Sequence, residues 1–372
     1  MAATFASRVV DPEKLFALHI DHGLNRENES QQVVGTLRRY LGMKHFLVED
    51  WSEQFLAALA GVEEPEEKRR IIGDLFVRAQ RAVVERLGLP PEETVLVQGT
   101  LYTDTIESGR GVGKKADRIK LHHNVASPLI QEMREKGRLV EPNKDWYKDE
   151  VRRVGLALGL PEEIVYRHPF PGPGLGVRLI NQSSPAWPED REEFQSRLAE
   201  IAKRFDAEAE LLPLKTVGVQ GDGRTYRNLA LVRARDYKTA RLVGEEALRE
   251  VSAINRVVWL YGDGEINFSP LELNRQTLDL LREIDGEANE VIQKNGLYRK
   301  ISQMPVILFP GNVVAIRDVY TEDYMTVHPL EKPGEFPEEA MDELHQRLVR
   351  SGKARALVFD VTDKPPGTIE WQ

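Results

Sequence analysis

The apolar positions of this chain fall into two alternating rhythms in its first half. Residues 15–20 form a short apolar run that stops at Asp21-His22-Gly23, the signature of a buried strand ending in a turn. Residues 27–41 carry Val33, Val34, Leu37, Tyr40 and Leu41 at helical spacing. Residues 66–87 repeat that pattern more strongly through Ile71, Ile72, Leu75, Phe76, Ala79, Val83 and Val84, with Pro65 suited to the start and Gly88 to the end. A buried strand is expected at 94–97, and a further helix at 148–158, closed by Gly159. Strands alternating with helices predict a parallel sheet covered on both faces, an α/β architecture. Ligands then bind beyond the carboxyl ends of strands, where Asp21-His22-Gly23 and Gln98-Gly99-Thr100 fall.

After residue 175 the pattern becomes strand, strand, helix, strand, and it occurs twice. The first run has strands at 214–219 and 229–233, a helix at 240–251 and a strand at 257–261. The second has strands at 306–308 and 313–317, a helix at 338–349 and a strand at 357–361. Arg233 and Arg317 take comparable strand ends.

Between the halves lies Arg167-His168-Pro169-Phe170-Pro171-Gly172-Pro173-Gly174-Leu175. Its three prolines remove amide donors that a helix or an interior strand requires, so the run is a loop of fixed shape. It serves as a linker, and loops this specific also carry function.

This loop resembles the HPFPGPGL signature of the GMP synthetase family, whose members aminate xanthosine monophosphate (XMP). The resemblance extends in order along nearly the whole chain. It takes in His19-Ile20-Asp21-His22-Gly23-Leu24, Glu67-Lys68-Arg69-Arg70-Ile71-Ile72-Gly73 and Gln98-Gly99-Thr100-Leu101-Tyr102. Thr105-Ile106-Glu107-Ser108, Ile119-Lys120-Leu121-His122-His123-Asn124 and Lys148-Asp149-Glu150-Val151-Arg152 follow. Val217 through Arg224 (VGVQGDGR) and Lys364-Pro365-Pro366-Gly367-Thr368-Ile369-Glu370-Trp371 complete it.

The resemblance implies a parallel-sheet ATP-pyrophosphatase domain over residues 1–175, N-terminally incomplete, followed by a doubled α+β dimerisation-type domain at 176–273 and 274–372. The family's phosphate loop, SGGVDS, has no counterpart here; such a loop works because backbone amides and a helix N-terminus face the phosphates. Residues 1–6 look like the helix that follows it. Two accounts stay open: a true start upstream of Met1, or a chain that has lost pyrophosphate binding and serves as an inactive XMP-binding or assembly protein.

The family transfers AMP from ATP to the C2 oxygen of XMP, and ammonia then displaces AMP. Carried over residue by residue, the resemblance puts Asp21, Gly23, Gln98, Gly99 and Thr100 beside ATP and Asp104 on Mg²⁺. Lys120, His122 and His123 become a lid over the reacting nucleotides. Arg69, His168, Asp222, Gln303, Lys364 and Glu370 become XMP contacts. Read without the resemblance, Arg69 belongs to an exposed charged face, and Asp222 and Gln303 to loop surface. The adjacent histidines have no third metal ligand spaced nearby. Proline is common in the family where Thr103 stands, and glutamate where the chain ends in Gln372.

Composition narrows the partners. Lys plus Arg total 51 against 60 Asp plus Glu, a net charge of −9, which disfavours general nucleic-acid or anionic-membrane binding. No apolar run approaches the roughly 18 residues of a membrane span, and no basic-then-apolar leader opens the chain, so a cytoplasmic location is expected. With no cysteine, disulfides and thiolate sites are excluded, as is the family's glutaminase nucleophile. Ammonia is therefore expected from a glutaminase chain or domain, or from solution. Two repeats able to pack against each other within one chain leave the family's homodimer open.

Overall fold

The computed structural model describes residues 1–90, 92–102, 128–220, 223–321, 326–329 and 336–372. The chain divides into two compact units, residues 1–59 with 66–173, and residues 60–65 with 174–372.

The first unit runs α1 (Ala2–Val9), β1 (Phe16–Asp21), α2 (Glu29–Leu41), β2 (His45–Asp50), α3 (Ser52–Leu59), α4 (Pro65–Arg86) and β3 (Leu96–Val97). It continues with α5 (Pro128–Glu135), β4 (Leu139–Val140), α6 (Lys148–Ala157) and α7 (Glu162–Val165). β1 pairs parallel to β2 from Phe16↔His45 to Asp21↔Asp50. β3 pairs parallel to β4 at Leu96↔Leu139 and Val97↔Val140. The expected parallel strands are present, but among the described residues they form two separate two-stranded pairs rather than one sheet. β3 is shorter than its apolar run because Val95 stands 51% exposed, and extending the ladder through it would bury nothing.

The helices differ in how well their apolar stripes are covered. Ile72, Leu75, Ala79 and Val83 of α4 are buried at helical spacing, as their periodicity predicts. In α2 the predicted stripe is only partly covered, and Tyr40 is 47% exposed. This unit also holds an aromatic group: the His22 ring lies 5.7 Å from Phe55 and 5.3 Å from Phe76, and Phe55 lies 5.2 Å from Phe76.

The second unit opens with a buried 3-10 turn, Gly174–Val177. It continues through α8 (Arg191–Lys203), β5 (Glu208–Gln220), β6 (Gly223–Arg233), α9 (Tyr237–Glu250), β7 (Ile254–Tyr261) and α10 (Arg275–Lys294). β8 (Val306–Phe309), β9 (Val313–Ile316), α11 (Glu338–His345), a π turn (Gln346–Arg350) and β10 (Ala356–Asp360) complete it. Both strand-strand-helix-strand runs lie in a single six-stranded sheet of order β5-β6-β7-β10-β9-β8. The ladder reads the same from either edge. Outer hairpins are antiparallel, β6–β7 and β9–β10 are parallel, and β7 meets β10 antiparallel with Trp259 opposite Phe359. Ile180, Leu212, Leu229, Leu231, Val258, Leu260, Ile307, Phe309 and Val358 form one continuous core on this sheet, joined by Trp371 from the chain's end.

Side-chain caps set two helix starts. The Asp236 carboxylate accepts the Thr239 amide at 2.7 Å ahead of α9, and Asn274 accepts the Thr277 amide at 3.0 Å ahead of α10. Both outer strands are covered. The chain's last residues lie along β5, where the Val219 and Val217 amides donate to the Pro366 and Trp371 carbonyls at 2.8 and 2.9 Å. Leu179 bridges β8, where the Leu308 amide donates to the Arg178 carbonyl at 3.0 Å. Covering both edges removes the open ladder that would template aggregation.

Candidate functional site

Each unit carries a group of the residues singled out above. In the first unit, Asp21 ends β1 and folds back on its own turn. Its Oδ1 accepts from the Gly23 amide at 3.0 Å and from Asn25 Nδ2 at 3.2 Å. Gly23 has φ +70°, and a Cβ there would sit 2.8 Å from Ser52 Cβ. Both the conformation and the space therefore require glycine. His22 turns inward, accepting the Leu24 amide on Nδ1 at 3.1 Å. Burial lowers its pKa to about 4, so the ring is neutral at physiological pH.

Gln98, Gly99 and Thr100 follow β3. The Gln98 amide donates to Val140 O at 3.0 Å, which extends the β3–β4 pair. Its side-chain Oε1 is buried without a hydrogen-bond partner among the described residues. Buried Thr100 donates its hydroxyl to Glu141 Oε1 at 2.7 Å, and Arg134 grips the same carboxylate at 2.9 and 3.0 Å. Thr100 is thus part of a fixed polar knot.

The charged run at the start of α4 is not uniformly exposed, as its composition alone suggests. Arg70 faces solvent with Asp74 3.2 Å away, Arg69 is half-buried and Lys68 is fully buried. His168 is also buried, and the loop that holds it is clipped to the turn after β1. Arg26 lies 4.4 Å over the Phe170 ring and donates to the His168 carbonyl at 3.4 Å. Glu29 accepts from the Arg26 amide at 3.2 Å and pairs with Arg167 at 2.9 Å.

In the second unit, residues far apart in sequence converge. Gln303 Nε2 donates to Glu370 Oε1 at 3.1 Å. Arg178 grips both oxygens of Glu370, through Nε at 3.1 Å and Nη2 at 3.0 Å, and turns Nη1 toward Asp285 at 3.6 Å. Lys364 exchanges backbone hydrogen bonds with Val327, at 2.9 Å from its amide and 3.2 Å to its carbonyl. The tail is fixed rather than frayed because of what it docks on. Gly218 of β5 lies opposite Gly367, and a Cβ at Gly218 would come 2.7 Å from Pro366 O. Only glycine lets the backbones approach so closely.

Trp371 anchors this segment. Its ring is fully buried, stacks 5.9 Å from Phe309, and donates Nε1 to Asp360 Oδ2 at 3.0 Å. The same carboxylate pairs with Arg256 and, at 2.7 Å, with Arg317, all three side chains being fully buried. Burial pushes the Asp360 carboxyl upward, but the guanidiniums of Arg317 and Arg256 outweigh it and leave it below the usual range. Burial lowers Arg256 to about 10, which leaves it charged at neutral pH. Arg233, the counterpart expected for Arg317, instead lies partly exposed and pairs with Glu210 at 2.6 Å.

Sequence reading missed Arg178, Asp285 and the Arg256–Arg317–Asp360 group. Arg178 lies inside a run of buried residues, 173–182, that continues directly from the proline loop. Lys120, His122, His123, Asp104 and Asp222 lie outside the described residues. Among the described residues no cluster of three or more His, Asp or Glu side chains could hold a metal ion, and no helix is long and apolar enough to cross a membrane.

The family model "GMP synthase C terminal domain" matches residues 290–371, the stretch holding Gln303, Lys364 and Glu370. A probable glutamine-hydrolysing GMP synthase of Leptospira interrogans is 37% identical over 380 residues, covering 98% of this chain and 61% of the relative. The chain belongs to the GMP synthase family. The glutamine-hydrolysing GMP synthase of Dictyostelium discoideum is 34% identical over 440 residues, with all of this chain and 61% of the relative covered. That of Aromatoleum aromaticum is 42% identical over 278 residues, with 66% of this chain and 50% of the relative covered. The chain thus spans 61% of the length of the first two relatives.

Proposed function

We propose that this chain supplies the synthetase part of a GMP synthase, aminating XMP to GMP at the expense of ATP through an adenylyl-XMP intermediate. The observation that carries the reading is the meeting of Gln303 with Glu370 at 3.1 Å on an anchored tail. Both are residues that the family resemblance assigns to XMP, and they lie on the stretch matched as a GMP synthase C terminal domain.

In this reading the turn at Asp21 and Gly23 and the segment Gln98–Thr100 border ATP. The glycine lets backbone come close, and the buried Gln98 Oε1 offers an acceptor. Arg69 and Lys364 supply positive charge for the XMP phosphate, while His168, Asp222, Gln303 and Glu370 orient its remaining polar groups. Lys120, His122 and His123 close over the reacting nucleotides, because an adenylated XMP exposed to water would hydrolyse. Mg²⁺ accompanies ATP and neutralises phosphate charge, with Asp104 as its nominated protein ligand. Ammonia comes from a glutaminase chain or domain.

The segments 1–175, 176–273 and 274–372 are proposed as the pyrophosphatase region and two dimerisation-type repeats. Two observations support the doubling: the ladder that reads alike from both edges, and relatives that match 98–100% of the chain where another matches 66%. A cytoplasmic location completes the proposal, and the family's homodimer stays open because the two repeats can pack against each other within one chain.

The test is to incubate the chain with ATP, Mg²⁺, XMP and ammonium while following GMP and pyrophosphate, with XMP binding measured in parallel by calorimetry. Formation of both products supports the synthetase reading. XMP binding with no pyrophosphate release transfers support to an inactive XMP-binding role, and no XMP binding at all sinks both of these and leaves the assembly role, which co-purification with a complete synthetase checks.

A further inference from the structure

The polar group around Glu370 has a chemical direction. A carboxylate can only accept hydrogen bonds, so the Gln303 amide must turn its Nε2 toward Glu370. Its Oε1 is then the end that faces elsewhere, and no described residue donates to it. The Gln303 backbone cannot swing to change this, because it forms a bridge with Val319, whose amide donates to the Gln303 carbonyl at 2.9 Å. The polarity of Gln303 is therefore set by Glu370.

Glu370 is set in turn by Arg178. The fork from Nε and Nη2 occupies both carboxylate oxygens and fixes the plane of the group, a geometry that a single point charge does not impose. Arg178 cannot drift. Its side chain is 2% exposed, its remaining nitrogen faces Asp285 of α10, and its carbonyl is tied to β8. The order Asp285, Arg178, Glu370, Gln303 thus links Arg178 to Gln303 through the shared carboxylate.

We propose that Arg178 is a positioning residue that aligns Glu370 and, through it, holds Gln303 with its carbonyl oxygen presented to the ligand. This end of the site then selects groups that donate a hydrogen bond, such as a sugar hydroxyl or a ring N–H, and rejects groups that only accept. The inference rests on the XMP reading for the identity of the ligand, but not for the internal order of the group. XMP meets the requirement, since it carries both kinds of donor.

The experiment uses the full chain with ¹⁵N-glutamine labelling, the Gln303 side-chain amide being identified by its loss in Gln303→Ala. In the parent protein one proton of that amide, bonded to a carboxylate, should lie downfield and exchange slowly. Arg178→Met should return it to the position of a solvated amide, and Arg178→Lys should restore part of the shift. Because Arg178→Met strands two carboxylates and can fail to fold, Glu370→Gln is the second variant. There a neutral amide replaces the carboxylate, the bond from Gln303 loses its charged acceptor, and the downfield signal moves back toward that of a solvated amide with Arg178 in place. A parallel titration compares XMP with its 2′-deoxy, 3′-deoxy and N-methyl analogues. One analogue should bind about tenfold more weakly than XMP to the parent protein, and that penalty should shrink in Arg178→Lys and Glu370→Gln. A purely structural Arg178 would lower the melting temperature without moving either the amide signal or the analogue penalty. A Gln303 signal unchanged in Glu370→Gln and in folded Arg178→Lys overturns the proposal. A signal that responds as described in a protein that binds no XMP upholds the positioning role and refutes the XMP reading instead.

Discussion

β1 and β7 are strands of similar length, but they sit in opposite circumstances. β7 lies between β6 and β10, and every one of its residues is buried. Among the described residues β1 has one neighbour, β2, and only Ile20 within it is buried. The same contrast runs through the two units. In the second, both sheet edges are covered and the chain's last tryptophan fills the core. In the first, the strands among the described residues form two short parallel pairs, and the apolar stripe of α2 is only partly covered. Strand sequence therefore matters less than the number of neighbours it obtains. Apolar burial of roughly 25 cal/mol per Å² rewards a strand only on the faces that something covers. Hydrogen exchange should accordingly be slowest in β7 and β10 and faster in β1 and β2.

The sharpest way to break this contrast is to attack the second unit where its burial is most demanding. Asp360 is the shared carboxylate of two fully buried arginines and also accepts from Trp371. Asp360→Ala leaves both guanidiniums uncompensated, and the expected loss is about 3–5 kcal/mol. Exchange in β7 and β10 should then rise to the level of β1 or above, while exchange in the first unit stays as it was. If β7 remains protected, the buried charge group is not what stabilises the second unit.

The first unit should instead respond to pH. His22 is buried with a pKa of about 4, below its unfolded value of about 6.5. The unfolded chain takes up the proton first, so stability falls as pH drops from 7 toward 4. By pH 5 the loss is about 2 kcal/mol. His22→Gln should flatten this dependence in denaturant titrations of the first unit. An equally steep acid limb in the variant would assign the effect to other groups.

These effects also mark what could be read from the sequence. The strand and helix pattern of the second unit was legible because its apolar runs are dense and its repeat supplies an internal check. The site residues Gln303 and Glu370 are singled out only through family resemblance, and they lie in contact at 3.1 Å. Arg178, Asp285, Arg256 and Arg317 were not legible, because a buried arginine looks like any surface arginine until its partners are known. Those partners lie 192, 107, 104 and 43 positions away, at Glu370, Asp285 from Arg178, and Asp360. The separation of the first unit's strands into two pairs was hidden as well, since an apolar run does not state how many neighbours it has.

An effect of similar size, at neutral pH, concerns the turn after β1. Gly23→Ala places a side chain at φ +70° and a Cβ 2.8 Å from Ser52 Cβ. The expected cost is about 2 kcal/mol, from the strained backbone and from the shift that α3 must make. If the loss is felt only in β1 and α3 by hydrogen exchange, the first unit yields locally where the second, struck at Asp360, yields as a whole. A loss spread over the entire first unit would weaken that distinction.

The smallest effect tests whether the first unit's loops are held by more than their own backbones. Arg26 lies over Phe170 and reaches the His168 carbonyl, so it clips the turn after β1 to the proline loop. Arg26→Ala removes the stacked cation, a change worth about 0.5–1 kcal/mol. Glu29 keeps its partner Arg167, so no carboxylate is stranded. The melting temperature should barely move, but amides around His168 and Phe170 should exchange faster. Arg26→Lys should restore charge without the flat stacking face, and so recover only part of the protection. Full recovery with lysine would mean that charge alone holds the loop. No change in either variant would mean that the prolines fix its shape unaided, and that the first unit's loops, unlike the second unit's tail, need no side-chain anchor.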